Sequence, residues 1–112
     1  MVTETAALVR QNIAAGDFGV LRHAAGQMAL RGISVEEVLA GVAAGEAIED
    51  YPDDEAGPAV LLLLHGADGR ALHVVWRIAA ATAGPAWLVT AYRPLARQWS
   101  DDFRTRRPVP KR

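Results

Sequence analysis

The spacing of apolar residues divides the chain at Gly45, with a helical period before it and an alternating one after it. Ala6, Val9 and Ile13 recur at helical spacing and Gly16 supplies a stop, so Thr3–Ala15 is expected to form a short amphipathic helix. Asp17–Leu21 reads as a connection or a brief extended piece. A second helix is expected from about Arg22 to Arg31, with Leu21, Ala24, Ala25 and Met28 as its apolar stripe. Gly32 stands where a left-handed C-terminal cap is needed. Ser34 and Glu37 have the spacing of a capping box, and Ile33 and Val38 occupy the positions of a hydrophobic staple. Val35, Val38, Leu39 and Val42 then trace the buried face of a third helix, which Gly45 ends.

After Gly45 the pattern is of β type. Ala47–Tyr51 is a short strand closed by Pro52, and Asp53–Pro58 is an acidic loop. Val60–His65 and Ala71–Ile78 are apolar strands joined through Asp68-Gly69, a dipeptide favoured in tight hairpin turns. A two-residue turn sets Leu64 opposite His73, Leu62 opposite Val75 and Val60 opposite Arg77. Leu61, Leu63, Leu72, Val74, Trp76 and Ile78 then form the face that receives the helices, leaving His73 and Arg77 on the more open side. Ala79–Pro85 is a turn and Ala86–Arg93 a last strand, with Trp76 and Trp87 assigned to the core. The four-residue spacing of Leu95, Trp99 and Phe103 allows a short terminal helix across the sheet, pinned by Trp99. The expected architecture is α+β: two or three N-terminal helices packed on a three- to four-stranded antiparallel sheet. Residues 1–104 form its single domain, and residues 105–112, basic and proline-containing, form a flexible tail.

Composition narrows the chemistry. Of 112 residues 51% are apolar but only 6% aromatic, so aliphatic side chains and alanine must build the core. The absence of cysteine excludes disulfides, a cysteine nucleophile and thiolate zinc sites. The N-terminal stretch carries Glu4 and lacks the apolar run of a secretory leader, and Ala59–Leu64 is far too short to span a bilayer, so a cytoplasmic location and no membrane partner are expected. The net charge of −1 hides an asymmetry. Residues 1–55 hold ten carboxylates against Arg10, Arg22 and Arg31, whereas from Arg70 onward nine basic residues face Asp101 and Asp102. The basic end suits an acidic partner, or it is a solvated face.

The ordered segments HAAGQMALRGIS (His23–Ser34), GEAIEDYP (Gly45–Pro52), GRALHVV (Gly69–Val75) and VTAYRP (Val89–Pro94), followed by Trp99, resemble the domain-of-unknown-function family 4258, a group of small bacterial proteins. The resemblance implies an architecture and a candidate surface rather than a reaction. In it Gln27 stands where the family most often has arginine, which removes a fixed positive charge. The order of elements is also similar to that of RelE/BrnT ribonuclease toxins, an analogy of layout alone.

His23, Gln27 and Arg31 lie along one stripe of the second helix. His23 is an acid–base candidate or a structural ring bonded to the helix or to a strand residue such as Tyr51. His73 and Arg77 share one strand face, and Thr90 and Tyr92 another; whether the two pairs meet depends on register. If they meet, His23, Arg31, His73, Arg77 and Tyr92 supply the groups for metal-free cleavage of a phosphodiester, with Gln27, Thr90, Arg93, Arg97 and Trp99 as RNA- or partner-binding residues. Packing alone also explains tyrosine and threonine in strands. His65, beside a turn, is expected to face solvent. No metal-ligand spacing, serine elbow or phosphate-cradling glycine loop is present, so neither metal nor cofactor is expected. Two readings result: a toxin-like RNA-binding or metal-independent RNA-cleaving domain, and a non-catalytic protein–protein interaction module of a toxin–antitoxin or regulatory pair. Oligomeric state is open.

Overall fold

The computed structural model describes residues 3–79 and 83–108. Its elements run α1 (Glu4–Ala14), β1 (Phe18–Val20), α2 (Arg22–Arg31), α3 (Val35–Gly41), β2 (Glu46–Tyr51), β3 (Ala59–His65), β4 (Ala71–Ile78) and β5 (Ala86–Tyr92). The three helices form where the apolar period placed them. The Thr3 hydroxyl accepts a bond from the Ala6 amide at 2.9 Å and starts α1. Gly32, at φ 67°, closes α2 in the left-handed conformation. At α3 the capping box is complete: Ser34 Oγ accepts from the Glu37 amide at 3.1 Å, and the Glu37 carboxylate accepts from the Ser34 amide at 3.0 Å. Glu37 also accepts from the Ala67 amide at 3.2 Å, tying α3 to the β3–β4 turn. Arg10 of α1 donates to the Val42 and Gly45 carbonyls that α3 leaves open, at 3.3 and 2.5 Å. Along α2 only Ala24 and Met28 of the expected stripe are buried; Ala25 and Leu21 are exposed.

The α+β class holds, but the sheet has five strands, in the order β1-β5-β4-β3-β2, and it is mixed. The brief extended piece is an edge strand, because Phe18–Val20 pair in parallel with Ala86–Leu88. The other four are antiparallel. The β3–β4 register is one residue from the expected one: His73 pairs with Leu63, Val75 with Leu61 and Arg77 with Ala59. The cause is a three-residue loop, Ala67-Asp68-Gly69, in which the Gly69 amide donates to the Gly66 carbonyl at 2.9 Å. Gly69 then takes φ 79° as a bulged glycine. The helix-facing side therefore carries Val60, Leu62 and Leu64 of β3 with Leu72, Val74, Trp76 and Ile78 of β4, and Leu61 and Leu63 lie with His73 on the reverse side. Bulges interrupt the β2–β3 and β4–β5 pairings, at Ile48 and Val89. Each puts two residues opposite one, so Ala47 enters the core while Glu49, two positions on, pairs with Leu61 of the reverse side. Trp87 is not a core residue; it is half-buried over Gly19, where any Cβ would meet its ring.

The reverse side is covered by the segment 95–107, here called the strap. No terminal helix forms. The Trp99 amide bonds the Leu95 carbonyl at 3.1 Å for one turn, after which Asp102 accepts from Ser100 Oγ and the Arg104 amide and Phe103 takes φ 60°, which ends any helix. The chain then doubles back so that Trp99 and Arg106 form an isolated bridge. Thr105–Arg107, expected in the tail, are bonded: the Arg107 amide donates to the Gln98 carbonyl at 2.8 Å. Residues 109–112 of the expected tail, and residues 80–82 of the turn before β5, lie outside the described residues.

Candidate functional site

Two groupings contain most of the candidate residues, one beneath the strap and one between α2 and β5. Beneath the strap, pairing of His73 with Tyr92 brings these two side chains together. His73 has no exposed surface. Its Nε2 is 2.8 Å from the Phe103 carbonyl, an acceptor only, so Nε2 carries the proton and Nδ1 accepts from the Tyr92 hydroxyl at 3.2 Å. Trp99 stands edge-on to the imidazole, with ring centroids 4.3 Å apart. Burial lowers the His73 pKa, Arg106 lowers it further, and the Phe103 carbonyl and Glu49 oppose the shift. Burial likewise raises the Tyr92 pKa. His73 is thus not on an open side: it lies on the face of β4 away from the helices, as alternation gives, but the strap seals that face, and both ring nitrogens are occupied.

Three residues that sequence reasoning missed complete this grouping. Arg106 binds Glu49 through two bonds of 2.8 and 3.0 Å and lies over the Trp99 ring at 4.7 Å. The Tyr51 hydroxyl donates to the same Glu49 carboxylate. Burial raises the Glu49 pKa, but bonds from Arg106 and Tyr51 outweigh it and hold the carboxyl below its usual range. The GEAIEDYP segment holds Glu49 and Tyr51 in the sequence; their partner Arg106 is far along the chain, and no local pattern joins them.

At the second grouping, Arg31 Nη1 donates to the Ala91 carbonyl at 2.9 Å and to Gln27 Oε1 at 3.4 Å, and Thr90 Oγ1 donates to the same Gln27 oxygen at 3.4 Å. Beside them opens a cleft of about 410 Å³ lined by Arg31, Tyr92, Arg93, Leu95 and Gln98. Gln27, Arg31, Thr90, Tyr92 and Arg93 therefore meet at one seam. Thr90 and Tyr92 pair with Val75 and His73 in the unbroken part of the β4–β5 ladder and so share a face, with Thr90 bonded to Gln27 of α2 and Tyr92 to His73. The cleft lining contains two guanidiniums and no carboxylate. Leu95 is 46% exposed, and Leu30, next to Arg31 on α2, is 90% exposed.

The remaining candidates are scattered. His23 is exposed on α2, one turn from Gln27, and has no bonded partner among the described residues. Arg77 is drawn to Asp54 of the acidic loop at 3.4 Å, on the far end of β4 from His73's neighbours at the strap. Arg97 is exposed and unpaired among the described residues, and His65 faces solvent at the end of β3. Most of the C-terminal basic charge is already answered: Arg104 pairs with Glu46 at 2.5 Å, Arg106 with Glu49 and Arg107 with Asp101 at 2.9 Å. No group of three His, Cys, Asp or Glu side chains suited to a metal ion occurs among the described residues. Nor is any described helix long and apolar enough to cross a membrane.

Residues 20–93, more than half of the chain, match the model of a family described as a domain of unknown function, DUF4258. The match runs from the end of β1 to just past β5, so it includes every residue of the α2–β5 seam from His23 to Arg93 and leaves out α1 and the strap, Trp99 among them. No curated protein and no solved structure matches the chain.

Proposed function

For a chain that belongs to the DUF4258 family, we propose the role of a non-catalytic interaction module that holds an acidic segment of a second protein at the seam between α2 and β5. The observation that carries this reading is the cleft itself, whose lining sets Arg31 and Arg93 beside the exposed Leu95 and includes no carboxylate, the one acid near Arg93 being Asp68 of the hairpin turn at 3.5 Å. Leu30, on the adjoining helix surface, adds an exposed apolar contact of the kind a protein partner covers. α2 has Arg22, His23 and Arg31 and no acidic residue, so its field complements a carboxylate-bearing partner. Arg31, Tyr92 and Arg93 of the cleft lie within the family-matched residues, and Leu95 and Gln98 lie just beyond them.

RNA cleavage has less support. It needs an acid–base pair within reach of the substrate, and His73 is buried with both nitrogens bonded. It also needs basic charge free for phosphates, and the strap arginines are paired internally while the whole chain has a net charge of −1.

The test is photo-crosslinking from position 95 in the source cell, identification of the adduct, and titration of the purified pair by calorimetry. The expected result is a partner with an acidic contact segment, bound at least ~10-fold more weakly by Arg31→Glu, a loss of about 1.4 kcal/mol or more. A partner whose affinity ignores Arg31→Glu and Leu30→Asp refutes the assignment of the surface. Metal-free RNA cleavage by the purified chain, abolished by His73→Ala in a protein that remains folded, refutes the non-catalytic reading.

A further inference from the structure

We propose that the cavity between the β3–β4 hairpin and the strap is a binding site for a small organic anion: an apolar body with one carboxylate or phosphate group. The cavity measures about 540 Å³, within the range of small-molecule sites. Leu63, Pro94 and Phe103 give its lining an apolar part, and Arg70, Arg93 and Arg104 bring three guanidiniums to it. Asp101 and Asp102 also line the cavity, and both already have partners, Asp102 Oδ2 lying 3.5 Å from Arg104 Nη1. Asp101 binds Arg107 at 2.9 Å, and Asp102 accepts from Ser100 Oγ at 2.6 Å and from the Arg104 amide at 3.1 Å.

Arg104 is paired through Nε with Glu46 at 2.5 Å and through Nη1 with Asp102 at 3.5 Å, so the donors left for a ligand are chiefly those of Arg70 and Arg93. Arg70 Nε and Arg93 Nη2 share one oxygen of Asp68, at 2.8 and 3.5 Å, while the other Asp68 oxygen accepts from the Arg70 amide. One carboxylate thus serves two guanidiniums, each with five N–H donors. Arg93 Nη1 is buried and has no hydrogen-bond partner. The unused N–H donors of Arg70 and Arg93, the buried Arg93 Nη1 among them, suit an anionic acceptor, and planar forks favour a carboxylate or phosphate. The apolar lining distinguishes an organic anion from a bare inorganic one, whose hydration would leave Phe103 and Leu63 unused. The cavity shares Arg93 with the α2–β5 cleft, so Arg70 and Arg104, which line the cavity alone, report on it, and Arg31 reports on the seam. A bound anion would bridge Arg70 of the hairpin and Arg104 of the strap, and so hold the strap down.

The experiment is calorimetric titration of the full chain with phenyl phosphate and phenylacetate, which separate the two head groups, and with inorganic phosphate and benzylamine as contrasts. One of the two aromatic anions is expected to bind saturably at a single site and to slow tryptic cleavage after Arg104 and Arg106. Arg70→Ala and Arg104→Ala, each with an unchanged circular dichroism spectrum, are expected to weaken binding about 10-fold, and Arg31→Ala to leave it unchanged. Failure of both aromatic anions to bind overturns the proposal. So does equal binding of inorganic phosphate or benzylamine, or sensitivity to Arg31→Ala with none to Arg70→Ala.

Discussion

Removing the His73 ring tests whether it serves the fold or a reaction. His73→Ala deletes the bond to the Phe103 carbonyl at 2.8 Å and the bond from Tyr92 at 3.2 Å, each worth about 1 kcal/mol net. It also deletes the edge-on contact with Trp99 at 4.3 Å, worth about 1 kcal/mol more. The expected loss is about 3 kcal/mol, or roughly 12 °C in Tm for a domain of this size. His73→Gln isolates the titration. Because burial lowers the folded-state pKa of His73, the unfolded chain takes up a proton near pH 6.5 while the folded chain still resists it. The folded state binds fewer protons in that window, so stability falls as the pH drops below about 6.5, by at most ~1.4 kcal/mol per pH unit, until the folded pKa is passed. His73→Gln should lack this component. Denaturant unfolding of both proteins between about pH 5 and 8 measures the difference. Superimposable pH profiles, or a His73→Ala protein of undiminished stability, would refute the argument that the ring is a sealed structural element.

Two further outcomes follow from local geometry. Ser34→Ala removes one half of the α3 capping box and should cost about 1 kcal/mol in denaturant unfolding. The Ser34 backbone amide, which the substitution keeps, is the main reason that the Glu37 carboxyl sits below its usual pKa, and the hydroxyl adds a smaller lowering, so only a minor part of that cost should vanish as acid protonates Glu37. Arg106→Ala loses a two-bond ion pair with Glu49 and the stack on Trp99; with Arg106 61% exposed, about 1 kcal/mol is expected. The loss should register as faster hydrogen exchange at the Thr105 and Arg107 amides while the β3 and β4 amides keep their protection.

Features specified by neighbouring residues were legible in the sequence. The Gly32 cap, the Ser34–Glu37 box and the β4 bounds Ala71–Ile78 follow from local pattern and stand as read. Alternation also identified the helix-facing residues of β4 correctly. It failed on β3 because Asp68-Gly69 is compatible with a two- or a three-residue loop, and that choice moves the pairing by one. Bulges at Ile48 and Val89 are equally invisible to a period-2 reading, which is why Ala47 and Glu49 part faces and why Leu88 and Thr90 do the same. β1 is too short to show a period and exists only through its partner β5. The site was half legible. The α2 stripe named Gln27 and Arg31, but the seal over His73 depends on Arg106 meeting Glu49 across 57 positions, a tertiary match without a local signal.

The two borders of the sheet limit how a companion can approach. One is β1, only three residues long, and the other is β2, interrupted at Ile48 and bearing Glu46, Glu49 and Asp50. A strand offered from outside would find too little unbent backbone on the first and, on the second, a kinked rim whose Glu46 and Glu49 are held by Arg104 and Arg106 of the strap. Ladder extension, and the fibrous stacking it can seed, is thereby discouraged at both margins. A companion is left with side-chain contact on helical or strap surfaces, where recognition rests on shape and charge instead of backbone hydrogen bonds.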